Sequence, residues 1–232
     1  MNGLTHSKNK SVWGKKPRDE KESDMNNLSK TDENRIRMYR LLGKLYLIEV
    51  DEKTLAAFQG MQFPEITGKS SAELDLKEGY ELIKKYFAEN TLSDEATIEE
   101  LAVDYAKTFL SAGDQSGQSA FPFESVYKNM AHQIYGESTA EEEKLYAAKG
   151  LKLREDMFKV TEDHLGAELE FMAKLIAEAP VEEQKAYVKN HLLNWVSSFT
   201  ADVVKYAATD FYKGWAKVTN GMLGLERENY GL

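Results

Sequence analysis

Four histidines, no cysteine and a surplus of carboxylates set the chemistry open to this 232-residue chain. Without cysteine there are no disulfides, thiolate zinc sites, iron–sulfur ligands or thiol nucleophiles. His6, His132, His164 and His191 are scattered, and no H-E-x-x-H, paired E-x-x-H, G-x-S-x-G or phosphate-binding loop occurs. The chain is therefore expected not to be an enzyme, and to hold no metal or cofactor of its own. Two clusters stand out. The first is Glu162-Asp163-His164 at the start of a strongly periodic helical segment. The positive end of a helix dipole there favours the two carboxylates as anions and His164 as a neutral imidazole. Such a pair offers an acceptor and a donor to a cationic peptide group. The alternative is that Thr161 or Asp163 only caps the helix while His164 packs beneath it. The second is Phe121-Pro122-Phe123-Glu124-Ser125-Val126-Tyr127, which reads either as a groove wall with Glu124 supplying charge or as a loop anchored by Phe123.

The elements that must position these residues read as helices. Proline is rare, Ala, Leu, Glu and Lys are frequent, and strand and hairpin signals are sparse. Residues 1–30 are expected to form a disordered tail, in which lysines and Arg18 are followed by Asp19, Glu20, Glu22 and Asp24, with apolar residues too scattered to bury. Helices are predicted at about 31–48 (capped by Thr31 or Asp32), 53–59, 71–88, 93–110, 124–135, 139–149, 161–179, 181–195, 196–208 and 210–223. Leu101, Val103, Tyr105 and Phe109 form the apolar side of the fourth, and Ser138 or Thr139 opens the sixth. Trp195, Phe199, Phe211, Tyr212 and Trp215 read as core. The one long irregular stretch, Ser111–Phe123, reads as a hinge. The expectation is a compact all-α bundle of about 8–10 helices. One domain spans 31–225, with halves at 31–110 and 124–225 joined by a hinge at 111–123.

Charge narrows the partners. A net charge of −9 and a pI near 5.1 argue against nucleic acid and for a cationic partner. No apolar run approaches the roughly 20 residues that span a bilayer, and the N-terminus lacks the apolar core of a secretory signal.

Three stretches together resemble a known family. Asp163 to Met172 resembles the D-H-L-x-x-E-L-x-F-M signature of the TorD/DmsD family of cytoplasmic redox-enzyme maturation chaperones. Asp104-Tyr105 to Leu110, followed by Pro122 to Tyr127, is similar to that family's D-Y-x-x-L-F and P-x-E-S-V-Y region. His191-Leu192, Trp195, Phe199, Ala207 and Phe211-Tyr212 are similar to its C-terminal H-L-x-x-W and F-Y region. The resemblance covers about residues 33–223. It implies an all-helical cytoplasmic chaperone that binds a twin-arginine signal peptide and the immature, apo-form of a molybdenum-cofactor oxidoreductase until cofactor insertion is complete. By position it implies signal-peptide binding by Asp163 and His164, with Glu162, Pro122, Glu124, Ser125 and Tyr127 nearby. Asp163→Ala is then expected to weaken peptide binding with the fold intact. The alternatives are an assembly chaperone for a molybdoenzyme subunit that is not exported, and a nucleotide-binding helical protein. A long hinge also leaves both a monomer and a domain-swapped dimer open.

Overall fold

The computed structural model describes residues 13, 28–110, 119–129, 134–154 and 160–232. Among these residues the fold is all-helical, with two isolated antiparallel bridges, Trp13–Leu153 and Phe123–His164, and no strand. The helices are α1 (Lys30–Leu47), α2 (Glu52–Gln59), α3 (Ser71–Glu89), α4 (Asp94–Phe109), α5 (Glu124–Lys128), α6 (Glu137–Ala148), α7 (Leu165–Glu178), α8 (Val181–Tyr187), α9 (Leu193–Tyr206) and α10 (Asp210–Tyr230). A π-helical segment, Val188–Leu192, joins α8 to α9, so 181–206 is one continuous helical run.

Side-chain caps fix several starts. Asp51, Ser70, Ser93 and Thr209 each accept a hydrogen bond from the backbone N–H three residues on. Each such cap contributes roughly 1 kcal/mol. Ser29 does the same for α1, so Thr31 and Asp32 lie inside the helix, and Asp32 instead pairs with Arg35.

Two helix pairs carry most of the packing, α1 on α7 and α3 on α10. Each brings a helix from before residue 110 against one from after residue 124, so both stretches share one core. Both pairs approach through glycine. A Cβ on Gly166 would lie 2.4 Å from Leu47 Cγ and 2.8 Å from the Gly43 carbonyl, and one on Gly79 would lie 2.6 Å from the Gly214 carbonyl. Trp195, Phe199, Phe211, Tyr212 and Trp215 are all buried in the core, as their spacing predicts. Arg35 grips Glu226 bidentately, at 2.7 and 2.6 Å, and clamps α1 to α10.

Several expectations need correction. The helix at 124–135 stops at Lys128; Asn129 is extended and Tyr135 has a left-handed φ of 69°. Neither Ser138 nor Thr139 caps α6, which starts at Glu137 with Gly136 before it. The predicted break between Trp195 and Val196 is absent, because α9 runs through it from Leu193 to Tyr206, with both residues on its buried face. Val103 is exposed. Helix α10 runs on to Tyr230, where Gly231 adopts the left-handed cap that ends it. Of the tail, Trp13 is half-buried against Tyr146 and Phe171 rather than solvated, whereas the rest of 1–27, residues 111–118 of the hinge, and His132 lie outside the described residues.

The glycine contacts yield a direct test. Gly166→Ala forces α1 and α7 apart and is expected to cost about 1–3 kcal/mol, read as a lower midpoint in urea denaturation.

Candidate functional site

The site is a junction where an extended segment, 119–123, meets the turn that opens α7. Ala120 N–H donates to Thr108 O at 2.8 Å and ties the segment to the end of α4. Leu165 N–H then donates to Pro122 O at 2.8 Å, and Glu124 N–H to Asp163 O at 2.9 Å. These two bonds pin the start of α5 to the start of α7.

Asp163 and His164 complete the pin in opposite directions. The Asp163 carboxylate is fully buried. It accepts from Ser125 N at 3.0 Å, Thr139 Oγ1 at 2.9 Å and Thr161 Oγ1 at 2.6 Å, so it binds α5, α6 and its own turn together. His164 points along α7, and its Nδ1 accepts from Gly166 N at 3.0 Å. The helix is thus capped by His164, not by Thr161 or Asp163. Its ring meets Phe123 edge-on at 4.9 Å. Burial pushes the imidazole down to about 3, with the nearby Asp163 charge opposing, so His164 is neutral as the sequence predicts. The physical cause is burial more than the helix dipole.

Next to the junction lies a second cluster. His191 Nδ1 sits 2.9 Å from Glu142 Oε1 and 3.4 Å from Glu124 Oε2. Nδ1 carries one hydrogen for two carboxylates. It aligns with Glu124, leaving Glu142 Oε1 held by charge without a directed hydrogen bond. Tyr187 donates to Glu142 Oε2 at 3.1 Å, and Lys128 reaches Glu124 Oε1 at 3.1 Å. Burial opposes charging His191, but the two carboxylates override it and raise the imidazole to about 9. Burial also raises Glu142, which His191 counters. Deeper still, Glu168 accepts from Trp195 Nε1 at 3.2 Å and is pushed well up by burial and by the surrounding carboxylates, towards its neutral form. Glu124, Glu142 and His191 are the one group among the described residues with a metal-ligand donor set, their ligand atoms within 4.8 Å of one another. Protonated His191 and Lys128 already supply two positive charges to the two carboxylates, so the set works as an internal ion cluster.

The sequence-named residues are thus brought together, but mostly inside. Pro122, Glu124, Ser125, Asp163 and His164 are buried; Glu162 and Tyr127 are half-buried. Tyr127 stacks on Trp195 at 5.5 Å and donates to Asp202 at 3.0 Å. The sequence reading missed Glu142, and it named His191 only in the C-terminal motif, without its carboxylate partners. Glu142 hides in the run Glu141-Glu142-Glu143, which looks like a solvated face. The signal that finds it is the i, i+4, i+8 row Ser138, Glu142, Tyr146, all buried.

A surface concavity lies elsewhere. A groove of about 830 Å³ runs between the α3–α4 corner and the start of α10. Exposed Leu92 and Val103 lie in it beside Glu89, Glu99 and Glu100, with Lys107 as its one lining cation among the described residues. Tyr86 donates to Glu100 at 2.6 Å. None of the seven sequence-named residues lines it.

Two tests follow from the junction. Asp163→Ala strands the Ser125 amide and two hydroxyls, so it is expected to destabilise by about 2–4 kcal/mol, read by chemical denaturation. That replaces the expectation of an intact fold. The second concerns pH. His191 is raised above the unfolded value of about 6.5, so its stabilisation is complete below that pH and is lost as pH climbs through about 9. His164 is depressed, so stability falls as pH drops from about 6.5 towards about 3. Stability should peak near neutrality, and His191→Gln should flatten the alkaline limb alone in melting curves taken from pH 5 to 10.

Comparison with known proteins identifies the family. A family model described as nitrate reductase delta subunit matches residues 72–201, from α3 to α9. Chaperone protein TorD from Shewanella pealeana is 26% identical over 195 residues, covering 81% of this chain and 86% of the relative. TorD from Shewanella loihica is 27% identical over 202 residues (85% and 93%), and TorD from Vibrio cholerae is 26% identical over 207 residues (84% and 90%). With more than half of its length matched, including the whole Asp163–His164 junction, the chain belongs to the nitrate reductase delta subunit family, among relatives named as TorD chaperones.

Proposed function

We propose that the protein is a cytoplasmic chaperone for the maturation of a redox enzyme. It binds the twin-arginine signal peptide and the immature form of a molybdenum-cofactor oxidoreductase, so that cofactor insertion precedes export. The TorD relatives support the chaperone role across about four-fifths of the chain. The observation that carries the peptide reading is the groove, where exposed Leu92 and Val103 lie beside Glu89, Glu99 and Glu100. A twin-arginine signal presents fixed positive charge followed by an apolar stretch, and the groove offers partners for both. Exposed ion pairs contribute only about 0–1 kcal/mol each, so apolar burial at about 25 cal/mol per Å² supplies most of the affinity. The carboxylates set orientation, because guanidinium prefers a planar two-oxygen partner.

In this reading the Asp163–His164 pair acts from inside. It fixes the path of the chain between α4 and α5, and peptide contact falls to surface groups. A second reading, an assembly chaperone for a subunit that is not exported, draws support from the family's description as a nitrate reductase subunit. Affinity capture separates the two: recovery of a molybdoenzyme carrying an Arg-Arg leader supports the first, and one without a leader supports the second.

The groove is tested by calorimetry with a synthetic peptide of two arginines followed by an apolar run. Glu89→Lys with Glu99→Lys should weaken binding at least tenfold, about 1.4 kcal/mol, while leaving the melting temperature unchanged. Equal affinity in the double variant overturns the assignment.

A further inference from the structure

Trp13 is the only Phe, Trp or Tyr among the first 38 residues, and it is seated on the folded domain. Its ring lies 4.9 Å from Tyr146 at 74° and 6.2 Å from Phe171 at 72°, both edge-on. Its backbone forms an antiparallel bridge with Leu153, in the short extended stretch after α6. Tyr146, Phe171 and Leu153 are 1%, 2% and 4% exposed, whereas Trp13 itself is only half-buried. Trp13 therefore lies over three buried side chains. One inserted ring plus backbone pairing at an unpaired edge is how folded domains take up extended peptides: pairing supplies affinity in any sequence, and the pocket selects the side chain.

The floor of this cradle belongs to the junction. Tyr146 donates to the Glu162 carbonyl at 2.8 Å. Phe171 packs on Tyr187 at 5.0 Å, and Tyr187 stacks on His191 at 5.0 Å and 21°. The surface that holds Trp13 is one face of the same aromatic wall that encloses the buried ion cluster.

We propose that the Tyr146–Phe171–Leu153 cradle is a docking site for an extended client segment that pairs with Leu153 and inserts an aromatic ring. Trp13 is its resident occupant, which such a segment displaces. A half-buried ring suits exchange: it covers the cradle of the unloaded chaperone and stays open to solvent on its other side. The inference stands apart from the groove and does not depend on it.

The test uses the full chain and a fluorescent synthetic peptide spanning residues 8–18. With its own occupant removed, the Trp13→Ala protein should bind the peptide at least tenfold more tightly than the wild type by anisotropy. The same peptide carrying Trp13→Ala should bind the variant protein at least tenfold more weakly. Equal binding by the two proteins, indifference to the ring, or no binding by either overturns the proposal. If Trp13→Ala lowers the melting temperature, hydrogen exchange on the wild type decides instead. Amides of 151–154 should exchange faster than those of α7, and the Trp13 amide should exchange faster with excess peptide in trans; protection equal to α7 would refute an exchangeable occupant.

Discussion

A carboxylate with no exposed surface has to be met by donors or give up its charge, and at Asp163 three donors from different places meet it. Ser125 belongs to α5, Thr139 to α6 and Thr161 to the turn before α7. Satisfying this one anion therefore fixes where three elements stand relative to one another. The neighbouring backbone bonds, Leu165 to Pro122 and Glu124 to Asp163, add direction. They make the chain leave the 119–123 segment at a set angle. Once α6 is held by Thr139, its next inward position is Glu142, one turn on, which is how that carboxylate comes to face His191. The ion cluster is thus a consequence of the junction.

The two imidazoles show how burial alone decides little. His164 is surrounded by a helix end, an aromatic ring and backbone groups, and its Nδ1 serves as an acceptor. Protonation would destroy that role, and burial keeps the ring neutral. His191 is buried as well, but between two carboxylates, so the same desolvation is outweighed and the ring holds its proton. The π turn at Val188–Leu192 contributes to the second case. It advances the register by about one residue within the run from Val181 to Tyr206, where an uninterrupted α-helix would turn the Tyr187–His191 face through about 100°.

The features legible in the sequence are those written in period and cap residues. The starts of α3 and α4, the apolar faces of α7 and α9, and the aromatic core between α9 and α10 follow from 3.6-residue spacing and from Ser or Asp before it. The junction was legible as a place but not as a state. Thr161, Asp163 and His164 all look like cap residues, and which one caps is settled by Ser125 and Thr139, which claim Asp163 from far along the chain. Helix α5 was overextended because residues 124–135 are locally compatible with helix, while the left-handed backbone at Tyr135 leaves no local mark. Glu142 was invisible for a related reason, since an acidic run looks solvated until tertiary packing turns one member inward, and His191, legible as a motif residue, gave no sign of its carboxylate partners. Trp13 was lost to composition, since a lone aromatic among lysines reads as tail unless its seat, built from residues more than 130 positions away, is known.

The chain's net charge of −9 invites the idea that the whole molecule attracts a cationic partner. The structure redistributes that charge. Asp104, Glu124, Asp163 and Glu226 are buried and engaged by backbone amides, Lys128 or Arg35, and Glu168 is held towards its neutral form. Such groups stabilise the fold and present little field to a visitor. The charge a basic peptide can feel comes from exposed carboxylates, and beyond about 8 Å at physiological salt even these are screened. Attraction therefore depends on local arrangement rather than on the total. The groove by α4 qualifies because exposed Glu89, Glu99 and Glu100 share it with two exposed aliphatic side chains and a single lysine. The Asp163 junction, equally rich in carboxylates, does not, because its anions are already spoken for by the protein.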